Sequence, residues 1–365
     1  MKKISILVSV AILVIAAVHS CTKVENINIE DDALKGLYSG RDSLKWAKED
    51  SIRKKNIQDS INLANENARL YALYIEDLKA YKKSKHPIMF GWFNSWNPDA
   101  PGPYSQLNLL PDSMDIVSIW GGPFNLSEKK KQQLKEVQSK GTKVVIGWII
   151  ENIGDQIDWD KTHWPNDQQE AVKAYAKAIT DSVNKYGYDG FDIDYEPSYA
   201  SPFKPGNHCG DWSTPWATNK ALISCQQNSN KELENLFFKT LREMLGNDKI
   251  LNINGSIDWL DPASAKYFNY FTVQSYNGTY ASWTNRVMNR LSSAGVTRDR
   301  IIYTETFENN SSNRNSFSRY STYVVNNLNG EAGGIGVYHI NEDAVTTSNY
   351  MNVRKAISAM NPPIK

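Results

Sequence analysis

Residues 189–196 read Asp189-Gly190-Phe191-Asp192-Ile193-Asp194-Tyr195-Glu196. Side chains alternate across a strand, so Asp192, Asp194 and Glu196 share one face and Phe191, Ile193 and Tyr195 the other. The aromatic and aliphatic face suits a helix layer. The acidic face then lines an interior, with Glu196 at its mouth. Neighbours on such a face sit about 6–7 Å apart along the strand, and side-chain rotation brings carboxyls closer. Like charges at that spacing retain or share a proton, so some of their pKa values rise. A general acid working near neutral pH needs that shift. A solvent-facing acidic edge strand fits poorly, because the flanks read as a central strand and unpaired buried acids are not kept for stability. A metal site is the second alternative, since hard cations favour carboxylates. No second acidic cluster lies near, however, and His208 stands alone in the following segment.

Seven further apolar, β-branched runs flank this strand: Ile88–Phe93, Ile116–Trp120, Lys143–Ile150, Ile250–Asn254, Phe271–Tyr276, Arg300–Thr304 and Gly334–Ile340. Helical patterns fall between several of them, at Ser127–Ser139, Asp167–Tyr186, Asn230–Leu245, Thr284–Ala294 and Ser316–Leu328. This alternation predicts an α/β fold, a (β/α)8 TIM barrel, with a doubly wound open sheet as its competitor. No glycine-rich phosphate loop follows the first strand, which counts against a nucleotide-binding version. In a barrel the chemistry gathers at the C-terminal ends of the strands.

The N-terminus reads as an address. Residues 1–21 carry Lys2 and Lys3, then an apolar stretch from Ile4 to Val18, then Val18-His19-Ser20-Cys21. The stretch is close to a signal h-region in length and short for a spanning helix. Its end resembles a bacterial lipobox, with His19 as a departure. The expectation is a lipoprotein signal peptide over 1–21 with lipidation at Cys21, and an exported, membrane-anchored protein at the outer membrane or cell surface. A secretory signal cut nearby or an uncleaved anchor is the plainer reading. Residues 22–85 read as a tether and helical spacer, in which Leu70, Tyr74, Leu78 and Tyr81 recur at helical spacing before Pro87. Packing of these helices on the domain as a cap is equally open. Residues 86–365 form the expected barrel domain.

Composition narrows the partners. Lys and Arg number 41 against 40 Asp and Glu, a net charge of +1, which gives no electrostatic reason to expect nucleic acid. Three cysteines are too few for a disulfide scaffold and lack metal-site spacing. The 11 Trp and 19 Tyr offer either core packing or the flat platforms on which pyranose rings stack. A monomer with neither metal nor cofactor is expected.

Asp189-Gly-Phe-Asp192-Ile-Asp194-Tyr-Glu196 resembles the signature of glycoside hydrolase family 18, Asp-x-x-Asp-x-Asp-x-Glu on the fourth barrel strand. All four acidic positions are intact, and the resemblance in strand order runs over roughly 87–360. Members are chitinases, endo-β-N-acetylglucosaminidases and inactive lectin-like relatives; the last usually lose the terminal Glu. The resemblance implies a substrate-assisted, retaining mechanism in which the sugar's own acetamide attacks C1. It makes Glu196 the general acid and base and Asp194 the partner of the acetamide N–H. Asp192 shares a proton with Asp194, and Asp189 is structural at the strand entry. Gln274-Ser275-Tyr276-Asn277 closes the sixth strand, and alternation puts Gln274 and Tyr276 on one face. The family places a Tyr there on the acetamide carbonyl, and the Gln-x-Tyr form resembles the endo-β-N-acetylglucosaminidases. Asn252 and Asn254 on the fifth strand either face the pocket or bond loop backbone. The third strand lacks the Ser-x-Gly-Gly element of chitinases. The eighth ends Val337-Tyr338-His339-Ile340 without their floor Trp, leaving Tyr338 as its replacement and His339 as a packed core residue.

The long segment after Glu196 holds Trp212, Trp216, Cys209 and Cys225, and a loop of this length is usually functional. In an oxidising compartment its two cysteines are candidates for one disulfide. Trp96, Trp148, Trp159, Trp164, Trp259 and Trp283 lie in or near loops at the C-terminal face; each is a sugar contact or a packing residue. Gln274, Asn254, Trp96, Trp148, Trp212 and Tyr338 are the candidate substrate-binding set. Asn94, Asp258, Glu305 and Glu308 are candidates for hydrogen bonds at the rim. The expected activity is that of an endo-β-N-acetylglucosaminidase acting on N-glycans or glycoproteins. A chitinase-like hydrolase and a silent glycan-binding lipoprotein are the rivals.

Overall fold

Local signals start and stop the elements. The helix Gln168–Tyr186 begins at Asp167, whose side chain accepts from the Glu170 N–H, and ends at Gly187 in the left-handed region. Ser127 caps Glu128–Ser139 in the same way. The computed structural model describes residues 40–120, 124–196, 231–309, 311–345 and 349–361. Its elements run α1 (Gly40–Lys83), β1 (Ile88–Phe93), β2 (Ile116–Trp120), α2 (Glu128–Ser139), β3 (Lys143–Ile149), α3 (Gln168–Tyr186) and β4 (Gly190–Tyr195). Then follow α4 (Lys231–Leu245), β5 (Ile250–Gly255), β6 (Tyr270–Val273), α5 (Tyr280–Leu291), β7 (Ile301–Thr306), α6 (Ser311–Asn327), β8 (Gly334–Tyr338) and α7 (Met351–Met360).

The eight strands are parallel and close in sequential order, β1 pairing with both β2 and β8. This is the (β/α)8 barrel, and the strand order excludes the doubly wound sheet. Alternation sorts the apolar residues into two layers. Ile88, Phe90, Trp92, Ile116, Val145 and Ile302 pack together inside the barrel. Phe191, Ile193 and Tyr195 instead join a larger cluster with the helices, including Tyr175, Ile179, Phe237 and Leu241. Asp192, Asn252, Thr272 and Thr304 are fully or almost fully buried, so the barrel carries polar side chains within its core. No described helix is long and apolar enough to cross a membrane.

The chain divides into two compact units, Met1–Tyr71 and Ala72–Lys365. In the first, the described part of α1 exposes Ile52, Ile57, Ile61, Leu63 and Leu70. In the second, the last turns of α1 pack on the barrel. Leu78 is buried, Tyr74 donates to Asp112 Oδ2 at 2.9 Å, and Lys82 donates to Thr142 Oγ1 at 2.6 Å. Asp112 and Thr142 precede β2 and β3, so the contact is at the N-terminal pole of the barrel, opposite Glu196.

The same pole holds a buried ion pair. His86 Nε2 lies 3.1 Å from Asp115 Oδ1, with side chains only 7% and 6% exposed, and Asp115 Oδ2 accepts from Met89 N at 2.8 Å. The bond to Asp115 raises the His86 pKa above its ordinary 6.5. A raised histidine contributes stability that is complete below pH 6.5 and is lost as pH climbs through the higher folded-state value. Replacing His86 with Gln should therefore cost about 1–3 kcal/mol in acid solution. Urea unfolding across pH should show that deficit shrinking above neutrality; a deficit independent of pH would refute the assignment.

Candidate active site

Asp192 is fully buried on β4, and three N–H donors surround it. Trp92 Nε1 donates to Oδ2 at 2.8 Å, while Asn252 and Asn254 donate to Oδ1 at 2.7 and 3.0 Å. Burial nevertheless pushes its carboxyl above the usual range, because these bonds only partly offset desolvation. The register sets Gly147 opposite Asp192. A Cβ there would lie 2.6 Å from the Asp192 carbonyl oxygen and 3.0 Å from its Cβ, so the backbones of β3 and β4 approach here as only glycine allows.

Asp194 follows on the same face, opposite Asn254, and is 8% exposed. Burial first, then the charges of Glu196 and Asp192, hold its pKa well above normal. Glu196 follows the last residue of β4. Burial raises its pKa too, and a hydrogen bond from Gln274 partly opposes the rise. The Gln274 Nε2 faces three oxygens, Glu196 Oε1 and Asn254 Oδ1 at 3.2 Å and Asp194 Oδ1 at 3.4 Å. Gly255 closes this corner with φ +93°; a Cβ would lie 3.1 Å from Asp194 Oδ1 and 2.5 Å from the Tyr195 oxygen. Three acids with raised pKa values and one amide bridging two of them thus gather at the C-terminal end of β4. Raised pKa values favour the protonated form of such a set, the form that a general acid uses.

Tyr276 reaches the cluster by a route alternation does not describe. β6 ends at Val273, and Tyr276 sits in a 3-10 turn, Tyr276–Gly278, with Asn277 at φ +58°. Glu305 at the end of β7 grips this turn. Its carboxylate accepts from the N–H groups of Asn277 and Gly278 at 2.9 and 2.7 Å and from Asn313 Nδ2 at 3.0 Å. Ser275 Oγ donates to the Thr304 carbonyl at 3.0 Å. The hydroxyl of Tyr276 is held well above its ordinary pKa by burial and then by the charge of Asp194. Its ring lies 6.2 Å from that of Tyr338, at 25° between planes. Tyr338 also meets the Trp92 ring edge at 6.1 Å, and burial followed by Glu308, Asp194 and Glu196 pushes its pKa up to about 12.

Several sequence expectations need correction. Trp96 is buried, with Nε1 donating to Gln133 on α2 at 2.9 Å, so it packs in the helix layer and offers no sugar platform. Trp148 pairs with Ile193, on the outer face, and its Nε1 donates to Tyr175 on α3 at 3.0 Å. Asn254 is 1% exposed and holds Asp192 and Gln274, leaving it no free surface for substrate. Glu305 clamps a turn and does not stand at the rim. His339, just past the end of β8, packs on the Tyr338 ring with its side chain 13% exposed, and its Nε2 is 3.2 Å from Asn94 Nδ2. Trp164 is tied to the Asp158 carbonyl and Trp283 is covered by Arg286, while Trp159 is 65% exposed. Asp189 sits at the strand entry, accepting from Gln138 and from the Val144 N–H. Cys21, His208, Cys209, Trp212, Trp216 and Cys225 lie outside the described residues. Among the described residues no three His, Cys, Asp or Glu side chains group to hold a metal.

Sequence reasoning missed Trp92. Its signal was present, since Ile88, Phe90 and Trp92 alternate on β1 as the acids do on β4. Replacing Trp92 with Phe keeps most of the ring and removes the donor to Asp192. The expected cost is about 1–3 kcal/mol, the penalty of a buried acceptor left unpaired, measured as a lower urea midpoint. An unchanged midpoint would show that the bond contributes nothing.

The Glycoside hydrolase family 18, BT1044-like model matches residues 52–359. Endo-beta-N-acetylglucosaminidase F2 of Elizabethkingia meningoseptica is 31% identical over 135 residues, which is 35% of this chain and 38% of that protein. Endo-beta-N-acetylglucosaminidase EndoS of Streptococcus pyogenes serotype M1 is 28% identical over 172 residues, 43% of this chain and 17% of that protein. The matches therefore span well under half the length of these curated relatives. The solved structure of a selenomethionine BT1044 variant aligns with a TM-score of 0.62 at 28% identity, covering 79% of this chain and 92% of the other. A family model that takes in all eight strands, on a closed barrel whose fourth strand carries the acids, places the chain in glycoside hydrolase family 18.

Proposed function

We propose that the protein is an endo-β-N-acetylglucosaminidase that cleaves the GlcNAc-β-1,4-GlcNAc core of N-linked glycans. The observation that carries the reading is the Gln274 amide between Glu196 and Asp194, beside Tyr276. The similarity to two endo-β-N-acetylglucosaminidases supports it. In the proposed mechanism the acetamide oxygen of the sugar attacks its own C1 while Glu196 gives its proton to the departing glycosidic oxygen. Asp194 accepts a hydrogen bond from the acetamide N–H and stabilises the positive charge of the oxazolinium ring. Tyr276 donates to the acetamide oxygen and aims it. Asp192, fixed by Trp92, Asn252 and Asn254, keeps a negative or shared-proton partner beneath Asp194. Glu196 then takes a proton from water, which attacks C1 from the vacated side, so configuration is retained. The nucleophile is part of the substrate, and proximity removes part of the barrier. A lipid-anchored, exported enzyme, tethered through Cys21 and acting as a monomer on glycoprotein glycans, is part of the same proposal.

Incubation with an N-glycosylated protein and with chito-oligosaccharides, followed by mass spectrometry, decides the activity. Protein left with a single GlcNAc is the expected product. Shortened chito-oligosaccharides alone would assign a chitinase, and binding without cleavage a lectin. Glu196→Gln should lower kcat by about 1,000-fold, within the 10²–10⁴ range of a lost general acid, with ligand binding kept. Turnover close to that of the parent would remove Glu196 from the reaction.

The pH profile carries a second expectation. Glu196 must be protonated to act, so activity falls as pH rises through its raised pKa. Gln274 lowers that pKa by donating to the carboxylate. Gln274→Met removes the donor, and the alkaline limb of kcat/KM should move to higher pH. A limb that stays in place or moves down would show that Gln274 does not tune Glu196.

A further inference from the structure

We propose that His339 is a positioning residue that sets the plane of Tyr338, and through it the aromatic surface that Tyr338 and Tyr276 present together. The inference rests on the reading of this cleft as a GlcNAc site. Tyr338 and His339 are consecutive at the end of β8, and in continued strand they would point to opposite faces. The backbone prevents that. His339 has φ +58°, the left-handed region that a histidine enters only at a cost of about 1–3 kcal/mol. The turn brings the two rings together, with centroids 4.1 Å apart and planes 38° from each other. This is the shortest ring contact Tyr338 makes among the described residues; Trp92 and Tyr276 stand at 6.1 and 6.2 Å.

The imidazole is itself held from the neighbouring strand β1. Nε2 shares a hydrogen bond with Asn94 Nδ2, just past β1, at 3.2 Å. An amide nitrogen only donates, so in this arrangement Nε2 accepts and the ring proton sits on Nδ1. Nδ1 lies 3.9 Å from Glu308 Oε1, just past β7. The His339 carbonyl accepts from the Glu342 N–H at 2.9 Å, which holds the turn closed. One side chain thus links the ends of β8 and β1 and rests on the ring that lies beside Tyr276. Burial holds the imidazole in its neutral form, which keeps Nε2 an acceptor. A GlcNAc ring stacked on Tyr338 would feel any tilt of that ring directly, whereas Glu196 and Asp194 on β4 would not move.

The test is a double-mutant cycle on a homogeneous N-glycopeptide, with full kinetics and thermal melts. His339→Asn is the informative variant, because asparagine tolerates the left-handed region and only the ring is lost. The expected result is a KM raised about tenfold, equivalent to about 1.4 kcal/mol, with kcat within about twofold and the melting temperature nearly unchanged. In a Tyr338→Ala background the same substitution should add almost nothing, since two residues acting through one contact are not additive. His339→Phe, which restores a ring, should recover most of the lost affinity if it folds. A full, additive loss in the Tyr338→Ala background would show that His339 acts on substrate independently and would overturn the proposal. So would a drop in melting temperature with KM intact. If the parent enzyme cleaves and His339→Asn matches it, only the His339 proposal fails; if the parent neither binds nor cleaves any GlcNAc-containing ligand, the reading of the cleft fails with it.

Discussion

Burial of the Asp192 carboxyl inside the barrel is the constraint on which the site depends. An acid in an apolar interior is costly unless every oxygen finds donors, and here three different donors from two strands are committed to it. Those commitments fix Trp92 on β1 and the asparagines of β5. Gly147 on β3 stands opposite, where a Cβ would meet the Asp192 carbonyl oxygen and Cβ. With Asp192 fixed, the period-2 geometry of β4 dictates where Asp194 and Glu196 emerge. The charge below Asp194 and the burial around it then supply the raised pKa values.

A second device works from β7. Glu305 leaves β7 and captures two successive backbone N–H groups of the turn that carries Tyr276. A carboxylate gripping backbone amides holds geometry without sharing the surface offered to a ligand. The acids of β4 and the tyrosine of the β6 turn therefore come from independent frames, joined by the Gln274 amide. Separating support from contact in this way lets the contact residues keep their raised pKa values without loosening the scaffold.

The fold was largely legible because its signals are periodic. Strand parity alone gave the inward direction of Asp192, Asp194 and Glu196, and the spacing of eight apolar runs gave the barrel. What failed was the reading of loops and layers. Trp96 and Trp148 lie near the C-terminal ends of strands, yet proximity along the chain does not say which layer a ring enters. For Trp148 parity held the answer, since Gly147 is the residue facing Asp192. Tyr276 was placed near the acids for the wrong local reason: the strand stops at Val273 and a left-handed Asn277 redirects the chain. Long-range clamps such as Glu305 on the turn and Trp92 on Asp192 join residues 28 and 100 positions apart, and nothing periodic announces them.

Behind β4, Tyr195 points outward and its hydroxyl donates to Glu234 at 2.7 Å, while Lys231 donates to the same hydroxyl at 2.7 Å, to Glu234 at 3.1 Å and to the Trp259 carbonyl at 2.9 Å. Glu234 is buried, and this ammonium is the positive charge beside it. The strand that leads to Glu196 is thus braced on its outer face by a charge pair that takes no place in the cleft.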